Sequence, residues 1–116
     1  MNEPHLIDTF QSQRLTLSYA EWGDPDAPPL VLVHGGRDQK RSWDSVAGRL
    51  SRHFRVIAHD LRGHGQSEWV TDGDYGVMDH VFDLSSLVDH FKLDRFTLLG
   101  HSLGGNITLR YSGLFP

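Results

Sequence analysis

Apolar and polar residues alternate between Leu15 and Trp22, with Leu15, Leu17, Tyr19 and Glu21 on one side and Thr16, Ser18, Ala20 and Trp22 on the other. A period of two is that of a β-strand, and the shorter apolar-rich stretch Leu6 to Phe10 just before it completes an N-terminal hairpin. Gly23-Asp24-Pro25-Asp26-Ala27-Pro28-Pro29 then clusters turn formers and breaks the pattern. The unbroken run Leu30-Val31-Leu32-Val33 suits a strand buried on both faces. Trp43, Val46, Ala47 and Leu50 recur at helical spacing, with Ser42 or Asp44 as N-cap and Arg49, Arg52 and His53 near the C-terminal end. Phe54, Val56, Ile57 and Ala58 form a further buried strand. The turn-rich stretch from Leu61 to Gly76 reads as a long functional loop.

Val77, Val81, Leu84, Val88 and Phe91 mark one face of a longer helix, and Asp79, Asp83 and Asp89 fall mostly away from it. Phe96, Leu98 and Leu99 make a last strand, and Leu103, Ile107, Tyr111 and Leu114 the buried stripe of a last helix. Strands alternating with helices predict βαβ units, hence an α/β chain in three α/β/α layers around a mostly parallel sheet. Right-handed crossovers put the helices on the sheet faces.

The chain has 116 residues, enough for one domain, and a formal charge of −4. It offers no basic field for a phosphate backbone, so nucleic acid is not expected as a partner. Met1 to Phe10 lacks the basic and apolar regions of a signal peptide, and no apolar run could span a bilayer. A soluble, cytoplasmic protein without a membrane partner is expected. Without cysteine there is no disulfide, thiolate nucleophile or cysteine-based zinc site, and the histidines at 5, 53, 59, 80 and 90 lack paired ligand spacing. No metal or cofactor is expected.

Chemistry concentrates at three junctions. Gly100-His101-Ser102-Leu103-Gly104 follows a strand and opens a helix, which is the context of a nucleophile elbow: the serine takes a strained turn, and small neighbours at Gly100, Gly104 and Gly105 let strand and helix approach. The helix directs unsatisfied N–H groups toward any developing oxyanion. His34-Gly35-Gly36 follows the 30–33 strand, with Trp43 nine residues beyond His34. Its glycine pair lets the backbone turn and present an N–H. Asp60-Leu61-Arg62-Gly63-His64-Gly65-Gln66-Ser67 follows the 54–58 strand, at the carboxyl end where α/β sheets place their crevices.

In this order, from about Leu15 onward, the three motifs resemble the α/β-hydrolase fold family. The resemblance implies that residues 1–116 are the N-terminal part of one such domain, running from the hairpin to the elbow helix. It makes Ser102 the nucleophile and the backbone N–H groups of Leu103 and Gly36 the oxyanion hole, with Arg37 in place of Gly36 if the loop is shifted by one. It gives His34, and the Asp60, Arg62 and His64 group, the task of bracing loops. His101, pointing away from the place of a general base, and Arg37 are supporting residues at most.

A serine hydroxyl needs a histidine and an acid to become a nucleophile, and nothing within residues 1–116 matches the family's triad acid or histidine. The expectation is therefore a truncated reading frame or excised segment, inactive by itself. Serine rather than aspartate at 102 points to a small ester-like substrate. Two other readings are a non-catalytic small-molecule binder reusing the pocket, and a dinucleotide site on Gly100 to Gly105. The latter lacks the G-x-G-x-x-G order.

Overall fold

A computed structural model describes residues 2–71 and 73–115. The hairpin joins β1 (Leu6–Ser12) to β2 (Leu15–Trp22), paired antiparallel from Leu6 opposite Glu21 to Ser12 opposite Leu15. Its two-residue turn places Gln13 and Arg14 at φ 48° and 70°. Both are in the left-handed region that matches hairpin twist. The Gln13 amide donates to Asp83 Oδ1 at 3.1 Å and to the Asp79 carbonyl at 3.2 Å, anchoring the turn on the helix above.

β3 (Pro29–Val33), β4 (Arg55–His59) and β5 (Thr97–Gly100) complete a sheet in the order β1-β2-β4-β3-β5. β3 pairs in parallel with both β4 and β5, whereas β2 runs antiparallel to β4. The sheet is thus mixed: parallel where βα units build it, antiparallel where the hairpin joins. β3 and β4 begin or end one residue away from the expected apolar runs.

Alternate residues of the strands feed two cores. Leu17, Tyr19, Val31, Val33 and Ile57 face α2 (Val77–Phe91) and α3 (Leu103–Leu114), meeting Val81, Leu84, Leu87, Val88, Ile107 and Tyr111. Ala20, Trp22, Leu30, Leu32, Val56 and Ala58 face α1 (Asp44–Leu50), meeting Ala47 with Trp43 and Leu50 packed alongside. Helices on both faces give the three layers.

Several local expectations are corrected. The segment Lys40–Trp43 forms a 3₁₀ turn ahead of α1, and neither Ser42 nor Asp44 caps the helix. The Ser42 hydroxyl donates instead to Asp38, and Asp44 accepts a two-oxygen contact from Arg41 Nε at 2.8 Å. Asp83 does not lie on a solvated face; it is fully buried, because Arg62 reaches it. Leu114 closes α3 and is 54% exposed, since the chain leaves the helix there. Residues 60–76 form no helix or strand among those described. No described helix is long and apolar enough to cross a membrane.

Candidate active site

The sheet register brings the three motifs together. Val33 stands opposite His59 on one side and Gly100 on the other, so His34, Asp60 and His101 leave the three parallel strands at one level. His101 N–H donates to the Val33 carbonyl at 3.1 Å. Ser102 is therefore presented at the carboxyl end of the sheet, where open α/β sheets form ligand crevices.

Ser102 has φ 58° and ψ −117°, a conformation that costs a side-chain-bearing residue on the order of 1–3 kcal/mol. Sterics hold it there. A Cβ at Gly100 would lie 2.7 Å from Gly105 N, and one at Gly104 2.7 Å from the His34 carbonyl. Both are far inside contact distance, so the first turn of α3 rests directly on the backbone of β3 and β5. Gly105 differs, because a Cβ there would come no closer than 3.7 Å to Gly100. Gly104 N–H donates to the His101 carbonyl at 2.9 Å and Asn106 N–H to the Ser102 carbonyl at 3.2 Å. Leu103 is the first residue of α3, and its N–H has no acceptor within the helix.

The loop after β3 lies against this turn. A Cβ at Gly35 would sit 3.1 Å from Ser102 Cβ and 3.1 Å from the His101 carbonyl oxygen, so the loop packs tightly against the serine and a side chain there would have to push it back by a few tenths of an ångström. Gly36 follows, exposed, and Arg37 takes φ 60°. His34, 1% exposed, braces the loop's entry: its Nε2 accepts the Leu61 N–H at 3.0 Å while Nδ1 lies 2.6 Å from the Gly35 carbonyl. The Leu61 bond assigns the proton to Nδ1, which then donates to Gly35. Burial pushes the His34 pKa down, against the Gly35 contact. Both ring nitrogens being engaged, His34 has no free site for a proton from Ser102. His101 is exposed. Asp38 is held below the usual carboxylate range, first by the Ser42 hydroxyl and then by the Gln39 N–H, with the fields of His34 and His101 adding.

The loop after β4 folds around the Asp60 carboxylate, which is fully buried. It accepts the Lys40 N–H at 2.7 Å, the Lys40 ammonium at 2.7 Å and the Gln66 N–H at 2.8 Å. Ser67 Oγ donates to the Asp60 carbonyl at 2.7 Å. Two residues on, Arg62 makes a second buried ion pair, donating to both Asp83 oxygens at 2.7 and 2.9 Å and to the Asp74 carbonyl at 2.8 Å. The Asp83 carboxylate raises the Arg62 pKa. His64 stacks tilted against His34, ring centroids 5.2 Å apart, and its Nδ1 lies 3.0 Å from the Arg62 carbonyl.

Sequence reasoning missed Lys40, Asp83 and His59 as parts of this framework. Nothing in the charged run around Lys40 sets it apart. Asp83 carries one signal in the sequence: Leu87, four residues on and so on the same side of the helix, is apolar. His59 ends β4 with neither ring nitrogen hydrogen-bonded, packed edge-on to Phe10. Burial is the main force lowering its pKa to about 4, helped by the field of His34.

Among the described residues no cluster of His, Asp and Glu could hold a metal ion. What the site offers is an exposed serine at a strained turn, a helix N-terminus behind it and a glycine loop beside it. Residues 28–116 match the family model described as alpha/beta hydrolase fold. The chain is 37% identical over 100 residues to the 3-hydroxybutyrate-oligomer hydrolase of Cupriavidus necator, covering 84% of this chain and 34% of that one. It is 41% identical over 91 residues to the 2-hydroxy-6-oxo-2,4-heptadienoate hydrolase of Pseudomonas putida, covering 76% and 33%. The solved structure of a putative lipase from Acinetobacter baumannii superposes with a TM-score of 0.90 at 34% identity, over 96% of this chain and 38% of that one. The chain spans about a third of the length of each of these proteins.

Proposed function

Because the chain belongs to the alpha/beta hydrolase fold family, we propose that it carries the nucleophile and oxyanion hole of a serine hydrolase acting on a small ester-like molecule. The observation that carries this reading is the exposed Ser102 at φ 58°, ψ −117° between β5 and α3, with the Gly35 loop closed onto its Cβ. Hydrolases among the relatives support the reaction class.

In the mechanism, Ser102 Oγ attacks the carbonyl carbon and its proton passes to a histidine base. The carbonyl oxygen becomes an anion held by the N–H groups of Leu103 and Gly36, or Arg37 if the loop register shifts by one. Collapse expels the alcohol with the base's proton and leaves an acyl-serine, which water then cleaves by the same steps. His34 and Asp60 brace the two flanking loops and touch no reacting atom. Neither His34, with both ring nitrogens occupied, nor His59, sealed in the core, is free to serve as that base, and this reading assigns the base and its orienting acid to the part of the relatives' length that these residues do not cover.

A fluorophosphonate probe applied to the complete protein carrying this segment tests the reading. Labelling is expected at Ser102 and lost in Ser102→Ala. Labelling that persists in that variant overturns the assignment.

A further inference from the structure

The loop that carries Gly36 is tied at both ends. At its entry His34 accepts the Leu61 N–H. At its exit Lys40 is 1% exposed, an unusual place for an ammonium group, which is almost never fully buried without a partner. Its ammonium donates to Asp60 Oδ2 and to Gln66 Oε1, both at 2.7 Å, and its backbone N–H donates to Asp60 Oδ1, again at 2.7 Å. Lys40 therefore grips one carboxylate with two groups, and that carboxylate also accepts the Gln66 N–H. Between the two ties, Arg37 holds a left-handed φ of 60° and no side chain of Gly36 fixes its peptide. The direction of the Gly36 N–H then depends on where the loop's ends are held.

We infer that Lys40 is a positioning residue for the oxyanion hole: its ammonium, buried against Asp60 and Gln66, sets the far end of the 34–39 loop and so the aim of the Gly36 N–H at the anion formed on Ser102's substrate. The inference rests on the hydrolase reading above. A buried ion pair is a weak source of net stability against an apolar substitute, whereas its directional hydrogen bonds fix geometry. Breaking it leaves Asp60 with two backbone N–H donors, from Lys40 and Gln66, so the carboxylate is not stranded.

The experiment uses the complete protein, with hydrolysis of a p-nitrophenyl ester and inhibition by a boronic acid, whose tetrahedral adduct on serine mimics the anionic intermediate. In Lys40→Met, kcat is expected to fall on the order of 100-fold, the size of a lost oxyanion donor. KM should stay within about threefold and the boronate should weaken in step with kcat. A kcat within about threefold of wild type in the folded variant overturns the inference. So does a loss that disappears on cooling well below the melting temperature, which marks lost folding. Should Lys40→Met not fold, Gln66→Met removes one acceptor of the ammonium at an exposed position. It is expected to lower kcat several-fold at unchanged melting temperature, and an unchanged kcat overturns the inference. Absence of fluorophosphonate labelling at Ser102 in the wild type would instead bring down the hydrolase reading, and this inference with it.

Discussion

The elbow after β5 and the loop after β4 leave the sheet at the same level, yet different forces hold them. At the elbow the restraint is steric and local: Gly100 and Gly104 allow backbone to lie on backbone, and Ser102 is forced into its turn between them. In the β4 loop it is electrostatic and distant: Asp60 is gripped by Lys40 from the preceding loop, and Arg62 by Asp83 from α2. A steric seat tolerates no added atom but needs no partner. A buried charge tolerates repacking, and what losing its partner costs depends on the donors it keeps: two backbone N–H groups for Asp60, only neutral side chains for Asp83.

The largest expected effect comes from removing one buried partner. In Arg62→Leu the Asp83 carboxylate keeps only the Ser12 hydroxyl and the Gln13 amide, and stability should drop by about 3–5 kcal/mol in urea denaturation. Adding Asp83→Leu should return most of it, because the penalty is that of an uncompensated charge. A single variant as stable as wild type would show that this loop, too, is held by packing.

Acid sharpens the contrast next. His59 titrates near 6.5 when unfolded and about 4 when folded, so between those values the unfolded chain binds a proton that the folded one refuses. The His59 contribution is complete above pH 6.5, falls as pH drops toward 4, and levels off below. The loss is on the order of 3 kcal/mol. His34 and His80, also lowered by burial, act in the same direction, while Asp38, lowered from 3.8, titrates below this window. His59→Leu should flatten the pH dependence of the unfolding free energy; an unchanged slope would assign it to other groups.

The same contrast explains what was legible in the sequence. Steric requirements are written next to the residue they serve: Gly100 and Gly104 flank Ser102, and Gly35 follows the strand whose loop must reach it. The hairpin, the buried strands and the apolar stripes were readable for the same local reason. Lys40 and Asp83 were not, because their partners lie 20 and 21 residues away. Lys40 reads as one charge in a polar run, and Asp83 as a polar position off the apolar stripe, until the fold brings each its partner. The mixed sheet also needed the fold, since pairing of β2 with β4 skips the intervening strand.

At the elbow itself, Gly104→Val drives a branched side chain into the Val33 and His34 carbonyls. Backbone cannot yield as a side chain does, so the first turn of α3 must lift. The expected cost is about 1–3 kcal/mol, with fluorophosphonate labelling of Ser102 slowed on the order of 100-fold, as displacement of a reacting group by about an ångström implies. A variant that labels at the wild-type rate would mean that the serine's position does not depend on this contact.

Gly105→Ala is the smallest change and the closest control, since it alters the neighbouring glycine of the same motif. A Cβ there meets Gly100 only at 3.7 Å and beyond, an ordinary contact, and φ is not in the left-handed region. The residue lies within α3, so alanine narrows the unfolded ensemble without straining the folded one. Stability should rise by about 0.4–1 kcal/mol, and Ser102 should label at the wild-type rate. The pair of variants then separates two explanations of the double glycine that sequence alone treats as one: if Gly105→Ala were as damaging as Gly104→Val, the elbow would depend on general looseness at the helix start. If it is neutral or stabilising, the requirement belongs to Gly104 alone, at the point where α3 touches the end of β3.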